Sequence, residues 1–189
     1  MATVGSSTTS YSTSSTIYKY QAGYVKYTTP SYPGKLVLQT TLGSNSYDYY
    51  SYLSTSTLSA GSGTNRGNAV SSGYLTSNDD KTSGVYDTLI SYACSASTVY
   101  YWYVNAAFAS SGTYSVPWSL NYYRRYSIAY NANGGSGVPS TQYFYADNTT
   151  VTISSTTPSR TGYTFLGWST SSSATSPSYS AGSSYALSS

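Results

Sequence analysis

Histidine and glutamate are missing altogether from these 189 residues, and the only acids are five aspartates. Without imidazole there is no Ser-His-Asp or Cys-His relay and no histidine-ligated zinc. Glycoside hydrolysis needs two carboxylates across the scissile bond. The candidates are Asp48, Asp79, Asp80, Asp87 and Asp147, and adjacent Asp79 and Asp80 diverge in an extended loop. Calcium asks for about six to eight oxygens, and no loop here concentrates carboxylates. Gly61-Ser62-Gly63 and Gly134-Gly135-Ser136-Gly137 are followed by neither a Lys-Ser/Thr pair nor a dinucleotide pattern, so neither reads as a phosphate loop. The expectation is a protein that is not an enzyme, with no cofactor and no metal.

Charge is equally sparse, at 7% of residues with a net value of +3. Arg124-Arg125, beside Tyr122 and Tyr123, is the one basic doublet. A nucleic-acid footprint clusters many cations on one face, so no nucleic-acid partner is expected. Cys94 is the sole cysteine and lies in the apolar run Leu89–Cys94. That excludes an intrachain disulfide and a cysteine metal cluster, and reads as a small buried hydrophobe. No stretch is long and apolar enough for a membrane span. Met1-Ala2-Thr3-Val4-Gly5 leads straight into Ser and Thr, with no basic then apolar leader. Asn148-Thr149-Thr150 is a glycosylation acceptor only in a eukaryotic secretory pathway.

What is present is tyrosine, 26 of them, within an aromatic content of 17%, and Ser plus Thr at about a third of the chain, far above ordinary usage. Tyr, Thr, Val and Trp fit a pleated, half-buried surface, and the aromatic content argues against disorder. Residues 1–16 form a Ser/Thr-rich arm without a core of its own, expected to dock on a neighbouring subunit. Residues 17–122 read as one β-sandwich or jelly roll. Its strands are Gly23–Thr28, Lys35–Leu42, Tyr47–Leu53, Val85–Cys94, Thr98–Val104 and Thr113–Val116, with Pro30, Pro33-Gly34 and Ser111-Gly112 as turns and residues 59–84 as long loops. In Thr98–Val104 one face carries Val99, Tyr101 and Tyr103 and the other Tyr100, Trp102 and Val104, with Phe108 beyond. No stretch keeps a helical period over three turns. The Tyr-Val-Lys-Tyr, Lys-Leu-Val-Leu and Tyr-Tyr-Trp-Tyr-Val strands, with Gly-Thr-Tyr-Ser after them, are similar to the small C-terminal β-sandwich domains of secreted bacterial proteases. That resemblance speaks to fold alone.

Residues 126–189 carry a denser pattern: Tyr126-Ser127-Ile128-Ala129-Tyr130-Asn131-Ala132-Asn133-Gly134-Gly135, then Val138-Pro139 and Gln142, then Pro158-Ser159-Arg160-Thr161-Gly162-Tyr163-Thr164-Phe165-Leu166-Gly167-Trp168. Asn133-Gly134 supplies the positive φ of a hairpin turn. Gly162 and Gly167 bracket a strand expected to send Tyr163, Phe165 and Trp168 into a small core. The segment resembles the Listeria–Bacteroides repeat, which implies a β-grasp-like module of bacterial surface proteins that also occurs in phage virion proteins. Tyr179–Leu187 matches the approach to that family's closing strand. Either the strand is absent or the 189 residues belong to a longer polypeptide, and the hazard of an open edge favours the second. The fold expected is therefore all-β, a sandwich followed by a small β-grasp-like module.

These features together point to a structural or adhesive component of a bacteriophage virion, a fibre, tail-tip or capsid decoration. Its expected place is the virion, and its expected partners are other virion subunits, further copies of itself in a homo-oligomer, and host surface glycan. A bacterial cell-surface adhesin and a carbohydrate-binding module of a larger enzyme are the alternatives. Outward aromatics would make the contact, with Tyr74, Trp118, Tyr122 and Tyr123 as candidates; after Pro117, Trp118 alternatively plugs the junction between domains.

Overall fold

The computed structural model describes residues 8–18, 22–41, 49–58, 73–78, 87–106 and 113–187, and side chains within 24–41, 49–58, 73–78, 87–104 and 116–187. It is all-β, with no helix among the described residues. The chain divides into two compact units, one over Thr8–Arg124 and one built from Arg125 onward.

The first unit holds eight strands: β1 (Thr8–Tyr18), β2 (Ala22–Thr28), β3 (Gly34–Thr40), β4 (Tyr49–Ser54), β5 (Thr76–Asn78), β6 (Leu89–Cys94), β7 (Val99–Ala106) and β8 (Thr113–Ile128), whose last residues cross into the second unit. They form two antiparallel sheets, β1-β8-β3-β6 and β2-β7-β4-β5. Period-2 alternation explains the core. Leu36 and Leu38 of β3, Ile90 and Cys94 of β6, and Val116, Leu120 and Tyr122 of β8 meet Tyr49 and Leu53 of β4 and Tyr100, Trp102 and Val104 of β7 in one buried cluster. Of the two faces expected for β7, the one carrying Tyr100, Trp102 and Val104 is the one in this cluster. Gly34 is required where it stands. A Cβ there would lie 2.4 Å from Tyr122 Cζ and 2.5 Å from the Tyr123 carbonyl oxygen, so Tyr122 can lie across the strand only because Gly34 has no side chain.

Three sequence expectations change. The arm expected over residues 1–16 is, from Thr8, a strand paired residue by residue with β8 of its own chain, from Thr8 opposite Tyr123 to Tyr18 opposite Thr113. Ser and Thr need no apolar core there because the backbone ladder supplies the bonding. The passage from one compact unit to the next, between Arg124 and Arg125, falls inside a strand, since β8 runs unbroken from Thr113 to Ile128 through Pro117. Thr41 N–H donates to the Pro117 carbonyl at 2.9 Å. The nitrogen of Pro117 therefore faces the same way, where β3 has already ended at Thr40 and no ladder acceptor is lost. Within the loops expected over 59–84, Thr76–Asn78 forms a short strand on β4. Residues 59–72 and 79–86 lie outside the described residues, as do Leu42, Asp48, Phe108 and the turn at Ser111-Gly112.

In the second unit, Arg125–Ile128 of β8 pairs with β9 (Gln142–Tyr145), and β10 (Thr150–Thr152) pairs with β11 (Ser184–Ala186). Isolated bridges join Ser136 to Ser159, Arg160 to Tyr163 and Trp168 to Tyr179. Asn133 and Gly134 have the expected positive φ, 49° and 84°. The strand expected between Gly162 and Gly167 is not formed. Gly162 at φ 78° turns the chain so that Tyr163 N–H reaches back to the Arg160 carbonyl at 3.1 Å. That turn leaves Tyr163 exposed rather than in a core.

Candidate functional site

The four aromatics singled out from the sequence do not come together. Tyr74 is 41% exposed and meets Tyr52 edge to face at 5.2 Å. Trp118 is half-buried and stands perpendicular to Trp102 at 5.8 Å, part of the sandwich core rather than a surface contact. Tyr122 is 0% exposed, and the expectation that it faces a partner is overturned. Its hydroxyl donates to the Tyr32 carbonyl at 2.6 Å, and its ring lies against Tyr27 and Tyr32. Burial, then the neighbouring Cys94 and tyrosines, holds its hydroxyl above the ordinary phenol range. Tyr123, one residue on, points to the opposite face, with the Lys35 ammonium 5.3 Å over its ring. The alternation Val116, Trp118, Leu120, Tyr122 against Pro117, Ser119, Asn121, Tyr123 carried this division all along.

Cys94 is buried in the same core, its thiol donating to the Tyr92 carbonyl at 3.4 Å. Burial pushes that thiol up to about 11, against smaller lowering by the Tyr100 hydroxyl and the Leu36 backbone, so it stays a neutral hydrophobe. Burial raises Tyr100 as well. Among the described residues no group of three His, Cys, Asp or Glu could hold a metal ion.

Two aromatic surfaces do exist. One is the outer face of β2-β7-β4, where Tyr24, Tyr103 and Tyr52 stand directly opposite one another on three neighbouring strands. Tyr52 and Tyr103 form a buried floor, with Tyr50, Tyr101 and Leu58 packed on it and the Leu58 N–H donating to the Tyr103 hydroxyl at 2.8 Å. Tyr24, 57% exposed, leans on both Tyr101 and Tyr103 at 5.8 and 5.4 Å. Sequence reading named the alternation of β7 but not its meeting with Tyr24 and Tyr52, which depends on strand register.

The other surface is a cleft of about 950 Å³ within the second unit. Its aromatic wall is Tyr130, Trp168 and Phe165, with ring centroids 4.7 Å and 5.0 Å apart in sequence along the wall. Tyr179 and Tyr185 meet edge to face at 5.2 Å on its lining. The wall is fixed from behind. The Tyr130 hydroxyl donates to Gln142 Oε1 and accepts from Ser154 N–H at 2.9 Å. Trp168 exchanges backbone bonds with Tyr179 at 2.7 and 3.0 Å. Gly167 permits that approach, because a Cβ there would lie 2.6 Å from the Tyr179 carbonyl oxygen at a φ of 144°. The indole N–H of Trp168 is buried with no hydrogen-bond partner. Among the described residues, Arg160 is the sole charged one lining the cleft. Its guanidinium is already engaged, donating to the Asn133 carbonyl at 2.7 Å and stacking 4.1 Å over Tyr163. The remaining lining is hydroxyl, amide and aliphatic. Such a cleft offers ring faces and neutral hydrogen bonds, not ion pairs.

Residues 126–189, about a third of the chain, match the family model of the Listeria-Bacteroides repeat domain. This is the family whose motifs the sequence displayed, and the cleft lies inside it. No match was found among curated proteins. Among solved structures, the chain is similar to the crystal structure of Aeromonas hydrophila PliG, a periplasmic lysozyme inhibitor of g-type lysozyme. The identity is 16% and the TM-score 0.35, over 62% of this chain and 88% of that one.

Proposed function

We propose that this protein, whose C-terminal third is a Listeria-Bacteroides repeat, is a non-catalytic attachment component of a bacteriophage virion that holds neutral surface glycan in the aromatic cleft of the repeat. The observation that carries the reading is the cleft itself: a Tyr130-Trp168-Phe165 wall with one charged lining residue, and that one internally engaged. Sugar rings present C–H faces to aromatic planes and hydroxyls to amides and hydroxyls, and both needs are met here. A chain with 7% charged residues has little electrostatic steering to offer a charged partner. The Ser/Thr/Tyr-rich all-β build supports the virion placement. A bacterial cell-surface adhesin is the second reading, favoured by the repeat match in residues 126–189, and it would use the same cleft.

The test is adsorption of the full chain to purified host wall glycan, at low salt and at about 1 M salt, where charges are screened beyond about 3 Å. Binding should hold across that range. Trp168→Ala, checked for retained sheet signal, should weaken it at least about tenfold, or ~1.4 kcal/mol. Steep loss with salt, or full binding by the variant, would remove the glycan role. Immunogold labelling of intact phage against labelling of bacterial cells separates the two placements.

A further inference from the structure

The sandwich has four sheet edges, and three of them are guarded. β5 is three residues long, and the start of β6 is covered by Asn78, whose Oδ1 accepts from the Leu89 N–H at 2.7 Å. β2 carries exposed Lys26 and runs on toward Pro30. Shortness, lysine and proline are the usual protections of an edge against pairing with another chain. β1 has none. Its eleven residues, Thr-Thr-Ser-Tyr-Ser-Thr-Ser-Ser-Thr-Ile-Tyr, include no charge, no proline and no glycine. It pairs with β8 on one side, and among the described residues no strand pairs with its other side.

The direction of each β1 backbone group follows from the ladders. In an antiparallel strand the N–H and C=O of one residue point the same way, and consecutive residues alternate. The Pro117 carbonyl accepts from Thr41 N–H, so Pro117 faces the β3 side of β8. Ser14, opposite Pro117, is therefore in a non-hydrogen-bonded position toward β8. The backbone groups of Ser14 point to the free edge, together with those of Thr8, Ser10, Ser12, Thr16 and Tyr18. The alternate residues, including Thr13 and Ser15, bond to β8.

We propose that β1 is a self-pairing edge, on which a second copy of this chain lays its own β1 antiparallel about a two-fold axis through Thr13. In the register of full overlap, Ser12 meets the partner's Ser14, Ser10 the partner's Thr16 and Thr8 the partner's Tyr18. All six residues in that set face the free edge, so every such pair exchanges both of its bonds, about a dozen backbone hydrogen bonds along the strand. The two sheets then join into one continuous sheet, β6-β3-β8-β1 continued by its two-fold mate. A second copy suits this edge better than a foreign peptide. Strand addition draws affinity from main-chain bonds and specificity from side-chain pockets. A Ser/Thr-rich strand supplies the first with little of the second, while two-fold pairing of identical uncharged strands needs no complementary partner sequence and meets no like-charge repulsion.

The experiment is light scattering of the full chain over a concentration series, with Ser14→Pro and Ser14→Lys as variants and amide exchange followed residue by residue. Wild type should be dimeric at about 0.1 mM, and each variant should raise the dimer dissociation constant at least about tenfold. Ser14→Pro removes a donor only from the free edge, so it should leave the sheet spectrum unchanged. In wild type, the Ser12, Ser14 and Thr16 amides should be protected when concentrated and lose protection on dilution, while Thr13 and Ser15 stay protected at both. A monomeric wild type, dimers that persist in both variants, or protection of the two amide sets that is equally independent of concentration would overturn the proposal. The amide comparison decides the matter even where Ser14→Pro fails to fold.

Discussion

The unit over Thr8–Arg124 gathers twelve buried side chains into one cluster. The unit from Arg125 buries only Tyr126, Phe144 and Ile153 among its described apolar residues, and leaves Leu166 70% and Tyr163 67% exposed. Both are written in the same Ser, Thr and Tyr vocabulary. The sandwich folds by apposing two alternating sheets, so its stability rests on area removed from water. The repeat has strands of three and four residues and leans on tight turns, ring contacts and single bridges such as Ser136 to Ser159, bonded at 2.8 and 2.9 Å. The consequence of the thin core is that aromatic rings which would otherwise be interior line a cleft.

The largest expected effect tests the sandwich side of this contrast. Trp102→Ala empties the centre of the cluster and should lower unfolding stability by about 3–5 kcal/mol, measured by denaturant unfolding. The sensitive point of the repeat should instead be backbone. Gly167→Ala places a Cβ 2.6 Å from a carbonyl oxygen at positive φ and should cost about 1–3 kcal/mol, read from amide exchange in residues 126–187. If truncating Phe144 or Ile153 proves far costlier than Gly167→Ala, the contrast between the units is wrong.

Smaller effects sharpen it. Tyr122→Phe removes a buried side chain's hydroxyl that donates to the Tyr32 carbonyl and should cost about 1 kcal/mol. The same core predicts alkaline sensitivity. Cys94 and Tyr122 are neutral when protonated, and burial holds both above their ordinary values, the thiol moving from 9.0 to about 11. The folded state thus binds these protons more tightly than the unfolded chain. The stability they allow is complete below about pH 9 and falls as pH rises through the folded values. Alkaline titration followed by sandwich amides and phenolate absorbance should show ionisation of Tyr122 coincident with unfolding, not before it. The smallest effect is Leu166→Ala, which should change stability by no more than about 0.5 kcal/mol because the side chain is already in water.

Much of the sandwich was legible from residue order. The alternation of Lys35–Thr40, Leu89–Cys94 and Val99–Val104 gave strands and faces, because a pleated strand repeats every two residues whatever its neighbours are. The repeat was legible from its glycines and aromatics, since Asn133-Gly134 and Gly162 need backbone conformations few residues adopt. The candidate contacts were less legible. Tyr122 and Tyr123 are chemically identical, and one is fully buried while the other is not.

By itself, then, the sequence determined that this chain is all-β, charge-poor and tyrosine-rich, and that its last third is the repeat. Those properties follow from composition, local period and turn chemistry, which act over a few residues. Only the tertiary structure decided that Thr8–Tyr18 is an edge strand, that Tyr24, Tyr103 and Tyr52 share one row, and that Tyr130, Phe165 and Trp168 line one cleft. Each of those rests on register between segments far apart in the chain, and a shift of one residue would turn every side chain concerned to the opposite face.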